Sequence, residues 1–556
     1  MADPTPAEPE QPTTRPKECW LVGGGMSILA AAVHLIQEAN IPGTHIHIAE
    51  LHPHSGHEDT NYGDATNGYT IHAGLQPSFY EPCTQHFLSL VPHPAEPGKT
   101  LLDVVEAKRK EMLSGMQQTE AGAGAWTRLV AQTDSGPGRV DAKKMNLRLK
   151  DRLDLLSFML QSEESLGERS IRQCFDFQFF DSTFWVLWST SFAIQPQHSA
   201  VEFQRHLSKY LDKLEQLSGP QVMGHMQYMF RDLLITPTIE YLKKRGVSFA
   251  MYRDAEILFT DSPDPGARPA ASQINLITDR EDLVTISIDP NDIVIASLGP
   301  ASSPSALGSH TKSVAHELYV ADPEIGDSWA LWDHLVAESR QHPRQLPQLH
   351  FGNPSNFKSR FSEAKLVTFT ITLRSPAFID LYTRLTGNEP GAGAFTTIAD
   401  CAWHLTINVP KQPVFPDQPK DVQVVWGYGM TPERNGEFIA KPMYECSGEE
   451  ILLELVAHLG FPTHPIVSTS TVIPCIMPYA TSGMLTRGPG DRPPVVNGVS
   501  NLAVVGQFVD IPGDTSFSMD YNIHGAQIAV YELCALEREP AAPTRSFFMK
   551  TFDLLK

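Results

Sequence analysis

CWLVGGGMSILAAAVHLIQEA, residues 19–39, joins a short apolar run to a longer one across three consecutive glycines. Cys19 to Val22 reads as a buried strand, Gly23-Gly24-Gly25 as a turn, and Met26 to Ala39 as an apolar helix. A second strand, HIHIAE (45–50), closes on Glu50. Strand, glycine turn, helix, strand and acid is the order in which a dinucleotide is held. The glycines let the backbone approach a pyrophosphate, the helix N-terminus attracts its charge, and the acid takes the ribose hydroxyls. Ile28 stands where the third glycine of that fingerprint would be.

Two distant segments extend the pattern. Residues 246–299 alternate short strands and turns (GVSFAMY, AEILFTD, QINLITD, LVTISI) and end in a buried strand, Asp292 to Leu298, running into Gly299. Residues 501–507, NLAVVGQ, form a third strand-to-glycine element, followed by an amphipathic helix from Ile523 to Leu536. Together the three pieces describe a two-part FAD domain interrupted by insertions. Gly23, Gly25, Glu50, Gly299, Gly506 and Gln507 are its expected cofactor contacts. No second glycine fingerprint lies between the halves, so no nicotinamide domain is expected. Gly427-Tyr428-Gly429 and Gly391-Ala392-Gly393 lack a bordering strand and helix and read as turns.

Composition sets the frame around this domain. A chain of 556 residues exceeds what one core supports. With 43 Lys and Arg against 64 Asp and Glu, the net charge of −21 opposes nucleic-acid phosphates and an electrostatic membrane anchor. Seven cysteines without a CxxC pair suggest a reducing, cytoplasmic setting and no metal site. The histidines at 52, 54 and 57 read as a solvated loop. The Pro- and Glu-rich residues 1–17 are expected to be a disordered tail. The apolar run after them is split by glycines and follows an acidic flank, unlike a signal peptide. Stretches 116–143 and 261–273 are turn-rich and read as surface loops.

Longer motifs then carry a resemblance. FGNPSNF (351–357), TGNEPGAGAF (386–395), VVWGYGMTPERNGEFIAKPMYECSGEEILLELVAHLGF (424–461), IPCIMPYATS (473–482), NLAVVGQFVDIPGDTSFSMDYNIHGAQIAVYEL (501–533) and TFWVLWSTSFAIQPQHSAVEFQR (183–205) resemble the oleate hydratases, the myosin-cross-reactive antigen family. The resemblance implies an FAD-binding fold with an inserted substrate domain, a long apolar channel, and addition of water to a carbon–carbon double bond without net redox chemistry. It also implies homodimers and peripheral contact with membranes. The Phe- and Trp-rich stretch 175–192 suits either such a channel or plain core packing. The family's glycine pair near the flavin ring reads Gly56-His57 here, and its carboxylate-binding stretch is comparable to Thr397–Ile407.

The departures fall on the expected chemistry. Hydration of an alkene needs an acid for one carbon and a base for the water. Gln76 stands where the family has its water-activating glutamate, and an amide cannot take a proton from water. His72 and Leu75 replace two arginines around it. His206 stands on the family's proton-donating tyrosine; an unperturbed imidazole titrates near neutrality. His206 and Gln76 are therefore the candidate catalytic residues. The expected function is an FAD-dependent enzyme working by proton transfer on a C=C bond of a long unsaturated fatty acid or a polyketide- or polyene-like acid. Hydration and double-bond isomerisation or cyclisation both fit. A flavin oxidoreductase and a catalytically lapsed lipid-binding protein are the readings from other classes. The expected fold is α/β: a discontinuous, Rossmann-like FAD domain (18–60, 207–310, 496–530) with an α-rich insert (61–206), a mixed α/β substrate region (311–495) and a C-terminal helix and tail (531–556).

Overall fold

A computed structural model describes residues 17–51, 62–71, 81–117, 127–142, 144–212, 231–260, 268–299, 305–315, 329–341, 350–391 and 395–542. Its organising element is a five-stranded, all-parallel sheet in the order Leu502–Val505, Ile293–Ser297, Cys19–Val22, Ile46–Leu51, Ser248–Tyr252. Strands covered on both faces need continuous apolar runs rather than alternation, and IVIAS and LAVV supply them. The helices Met26–Gln37 and Met519–Leu533 pack against each other beside this sheet. Ala30, Ala31 and Ala32 are fully buried and Ile28 is in the core, so small side chains provide close packing without the third glycine. A three-stranded antiparallel sheet (Asp254–Thr260, Ala270–Ile277, Leu283–Ser287) hangs from the same domain. The chain is thus α/β with a Rossmann-like parallel sheet assembled from distant segments.

The second layer is an eight-stranded sheet in the order Ala306–Leu307, Ser470–Met477, Leu366–Leu373, Gln423–Gly429, Thr406–Asn408, Phe395–Ile398, Leu129–Thr133, Gly136–Val140. Two expectations change here. The glycines at 427 and 429 lie in a strand, not a turn. A Cβ on Gly427 would sit 2.5 Å from the Phe369 ring and 2.8 Å from the Thr406 carbonyl oxygen, so the glycine lets neighbouring strands close over it. Residues 129–140, read as loop, form a hairpin whose first strand pairs in parallel with Phe395–Ile398. Residue 391 does lie in a turn, and 392–393 fall outside the described residues. The strand from Ala270 likewise begins inside the stretch expected to be loop.

Leu366–Leu373 is buried throughout, with Thr368, Thr370 and Thr372 alternating with apolar residues. Thr372 and Thr370 use that polar face to accept the backbone amides of Tyr69 (2.8 Å) and Ile71 (2.9 Å), pinning the segment Gly68–Thr70 across the sheet. Most of the aromatic stretch is core: Phe179, Trp188 and Phe192 are fully buried in one cluster with Trp426 and Tyr428, whereas Phe177 is exposed. No helix among the described residues is long and apolar enough to cross a membrane.

Candidate functional site

The C-terminal ends of the parallel strands bring together the glycines expected to hold a cofactor. Gly23 has φ +112°, donates its amide to the Ala49 carbonyl (2.9 Å), and has no room for a Cβ, which would lie 2.9 Å from the Ser297 Cβ. Gly25, with φ +81°, opens the helix Met26–Gln37; it is exposed, no side chain caps the helix, and its first turn holds no acid. Glu50 flanks the turn, its Cγ 3.7 Å from where a Gly24 Cβ would be. Gly299 (φ +62°) and Gly506 (φ +106°) end the two neighbouring strands, with Gln507 next in chain. An open, uncapped helix start beside a carboxylate at a sheet's C-terminal edge suits a pyrophosphate and a ribose. Gly56 and His57 lie outside the described residues.

The second assembly is the helix Ala200–Tyr210. Ser199 caps it, its side chain accepting the Glu202 amide. The helix is buried on almost every side despite its charges, so each charge needs a partner. Glu202 accepts Arg487 Nη2 (2.6 Å), Arg492 Nη1 (3.1 Å) and Thr515 Oγ1 (3.2 Å). Burial alone would raise its carboxyl, yet Arg487, Arg492 and Arg205 outweigh that and hold it down at about 2. Two turns on, Lys209 Nζ reaches Glu81 (2.7 Å), Asp514 (3.0 Å) and Asp520 (3.7 Å). The Tyr210 hydroxyl donates to Glu81 Oε1 at 2.5 Å, and its pKa is pushed well above the ordinary value by burial and then by Glu81. Three buried carboxylates thus surround one ammonium. Asp520 responds: burial and the neighbouring Glu81 push it up to about 6.

His206 lies between these two charged groups and joins neither. Its ring sits among Phe192 (4.2 Å between centroids), Tyr210 (4.7 Å), Trp188 (5.6 Å) and Phe517 (5.6 Å), and neither nitrogen has a hydrogen-bond partner among the described residues. Burial pushes the imidazole down to about 3, so it is neutral at pH 7 rather than poised near neutrality. A narrow gap beside it is lined by His198, Glu202, Met484 and Thr515.

Residues 16–531 match the MCRA family. This chain belongs to it. The chain is 29% identical over 547 residues to an oleate hydratase of Streptococcus pyogenes serotype M49 (strain NZ131), an alignment spanning 96% of this chain and 88% of the relative. It is 25% identical over 580 residues to a linoleate hydratase of Lactiplantibacillus plantarum, covering 96% and 97% respectively. Among solved structures it is similar to a cyclohexylamine oxidase from Brevibacterium oxydans IH-35A, with 10% identity, a TM-score of 0.46, and coverage of 94% of this chain and all of that one.

In this MCRA chain the glycine turn and the helix Ala200–Tyr210 are both described, whereas Gln76 and His72 lie outside the described residues. Sequence reasoning missed several groups. Glu81, Lys209 and Tyr210 form one network with residues of the C-terminal segment, which no local sequence pattern signals. Arg128 was missed too. It is 3% exposed at the start of the strand Leu129–Thr133, donates to Ser191 Oγ (2.9 Å), and has no carboxylate partner among the described residues. Its Nε is unpaired there, and burial lowers the guanidinium to about 10. The hydroxyl of Thr397, in the suspected carboxylate-binding stretch, bonds to those of Thr190 (3.2 Å) and Thr406 (2.9 Å). An arginine preceding the apolar pair Leu129-Val130 was the signal available for Arg128.

Proposed function

We propose that this chain adds water across a carbon–carbon double bond of a long unsaturated fatty acid, with FAD held at the glycine turn. The observation that carries the reading is the near-full-length likeness to an oleate hydratase and a linoleate hydratase. The open start of the helix Met26–Gln37, with Glu50 beside it, supports FAD as the dinucleotide. Bound there, FAD would supply a planar ring against which the double bond is held, with no net electron transfer.

The chain's own groups then divide the work. A neutral His206 is a poor acid, and the Tyr210 phenol, its pKa raised by burial and by Glu81, keeps its proton at neutral pH; the Tyr210–Glu81 pair, its carboxylate charge balanced by Lys209, is the proton-holding pair beside that ring. His206 and its aromatic neighbours keep water away from that proton. The amide of Gln76 would hold the incoming water. Arg128, a buried cation without a described counter-charge, takes the fatty-acid carboxylate. Double-bond isomerisation is the second reading. Gln76 favours it, because an amide can hold water but cannot deprotonate it, whereas isomerisation needs only one reversible proton carrier.

Incubation of the FAD-loaded protein with oleic and linoleic acids in heavy-oxygen water separates the readings. Hydration yields a labelled hydroxy acid; isomerisation yields deuterium exchange in heavy water with no gain of water mass. Neither product from either acid would sink both. Arg128→Gln is expected to raise KM for the acid about 10- to 100-fold with little change in kcat, the scale of one charged hydrogen bond. The same variant should abolish any preference for the acid over its methyl ester.

A further inference from the structure

Away from the helix Ala200–Tyr210, four side chains with metal-binding atoms converge beside another buried helix, Gly448–His458. Glu454 and His458 stand one turn apart on that helix, Glu437 comes from the loop before it, and Cys401 follows the strand Phe395–Ile398. One donor atom from each lies within 4.8 Å of all the others. His458 Nε2 is 3.1 Å from Glu437 Oε2 and 3.1 Å from Glu454 Oε1. Ligand atoms around a tetrahedral zinc ion, at metal distances of about 2.0–2.3 Å, stand about 3.3–3.7 Å from one another, so this spacing needs little adjustment.

The carboxylates are aimed before any ion arrives. Glu437 Oε1 accepts the Ala402 amide (2.9 Å), which turns Oε2 toward the imidazole. Glu454 Oε2 accepts the amides of Phe438 (3.0 Å) and Ile439 (2.7 Å), while Oε1 accepts that of Glu437 (2.8 Å) and faces the ring. Hydrogen bonds of this kind to the outer atoms of ligands fix their direction and raise metal affinity. Cys401, Glu454 and His458 are buried, and Glu437 keeps the site open on one side.

We propose that Cys401, Glu437, Glu454 and His458 bind one divalent cation of the zinc class. A thiolate and an imidazole beside two carboxylates select zinc or cobalt over magnesium or calcium, which take all-oxygen shells. Binding displaces the Cys401 thiol proton and the His458 Nε2 proton to solvent, and the ion takes their places. It would tie the loop carrying Glu437 to the helix Gly448–His458 and to the end of the strand Phe395–Ile398, independently of the candidate active site.

The test uses the full chain, stripped with a chelator and titrated with Co²⁺ alone, then competed with Zn²⁺. One equivalent of Co²⁺ should give a thiolate-to-cobalt charge-transfer band and the intense visible bands of tetrahedral cobalt, both erased by one equivalent of Zn²⁺. Cys401→Ser should lose the charge-transfer band. Glu437→Gln, at the open side where folding is least at risk, should weaken cobalt binding about 10-fold or more. The circular dichroism of each variant without metal identifies any that has not folded. A folded wild-type chain without the cobalt bands would overturn the site, as would bands that persist unchanged in both variants.

Discussion

Two buried helices in this protein carry the same pair, a glutamate four residues before a histidine, and treat it in opposite ways. In Gly448–His458 the pair closes: Glu454 Oε1 meets His458 Nε2 at 3.1 Å, and although burial opposes the cation, Cys401 and Glu454 lift the ring to about 10. In Ala200–Tyr210 the pair is pulled apart: Arg487 and Arg492 claim Glu202, and His206 is left neutral among aromatic rings. The spacing that brings two side chains together on a helix is therefore permissive, not decisive. Which partners arrive from elsewhere in the chain decides whether the histidine becomes an ion-pair member or an uncharged wall.

The largest test removes the carboxylate from the separated pair. Glu202→Gln leaves Arg487 and Arg492 buried against a neutral amide, and should cost about 3–5 kcal/mol in denaturant unfolding. A loss under 1 kcal/mol would mean the guanidiniums find other partners. Glu454→Gln should cost less, about 2–3 kcal/mol, because its amide oxygen can still accept some of the backbone donors of residues 437–439.

The third test concerns pH. The folded-state pKa of His206 lies below the unfolded value of about 6.5, so its contribution to stability is complete above that value. It is lost as pH falls through the range from about 6.5 to about 3, because the unfolded chain takes up a proton that the fold refuses. The charged groups facing it, Glu202 and Lys209, oppose each other there. His206→Phe should therefore flatten the acid limb of stability by up to about 1.4 kcal/mol per pH unit. An acid limb unchanged by that substitution would place His206 in contact with solvent.

The parallel sheet was legible because Cys19–Val22, Ile293–Ser297 and Leu502–Val505 are short apolar runs ending near a turn, and burial on both faces demands such runs. The hairpin at 129–140 was not, since GPGRV looks like a turn until a neighbouring strand completes its pairing. Gly427 misled for the opposite reason: a glycine needed to admit the Phe369 ring looks in sequence like one needed to bend the chain. In the site, the position of His206 was readable but its charge state was not. Glu202 and Arg487 are 285 residues apart and Lys209 and Asp514 are 305 apart, and no local pattern reports such pairings.

The parallel sheet also constrains how this protein is made. Ile293–Ser297 is flanked by Cys19–Val22 on one side and Leu502–Val505 on the other. Until residues 502–505 leave the ribosome, that apolar strand presents an unpaired edge while roughly two hundred later residues are being synthesised, about 10–40 s at ordinary elongation rates. A nascent chain in that interval is a natural client for a chaperone that shields strand edges.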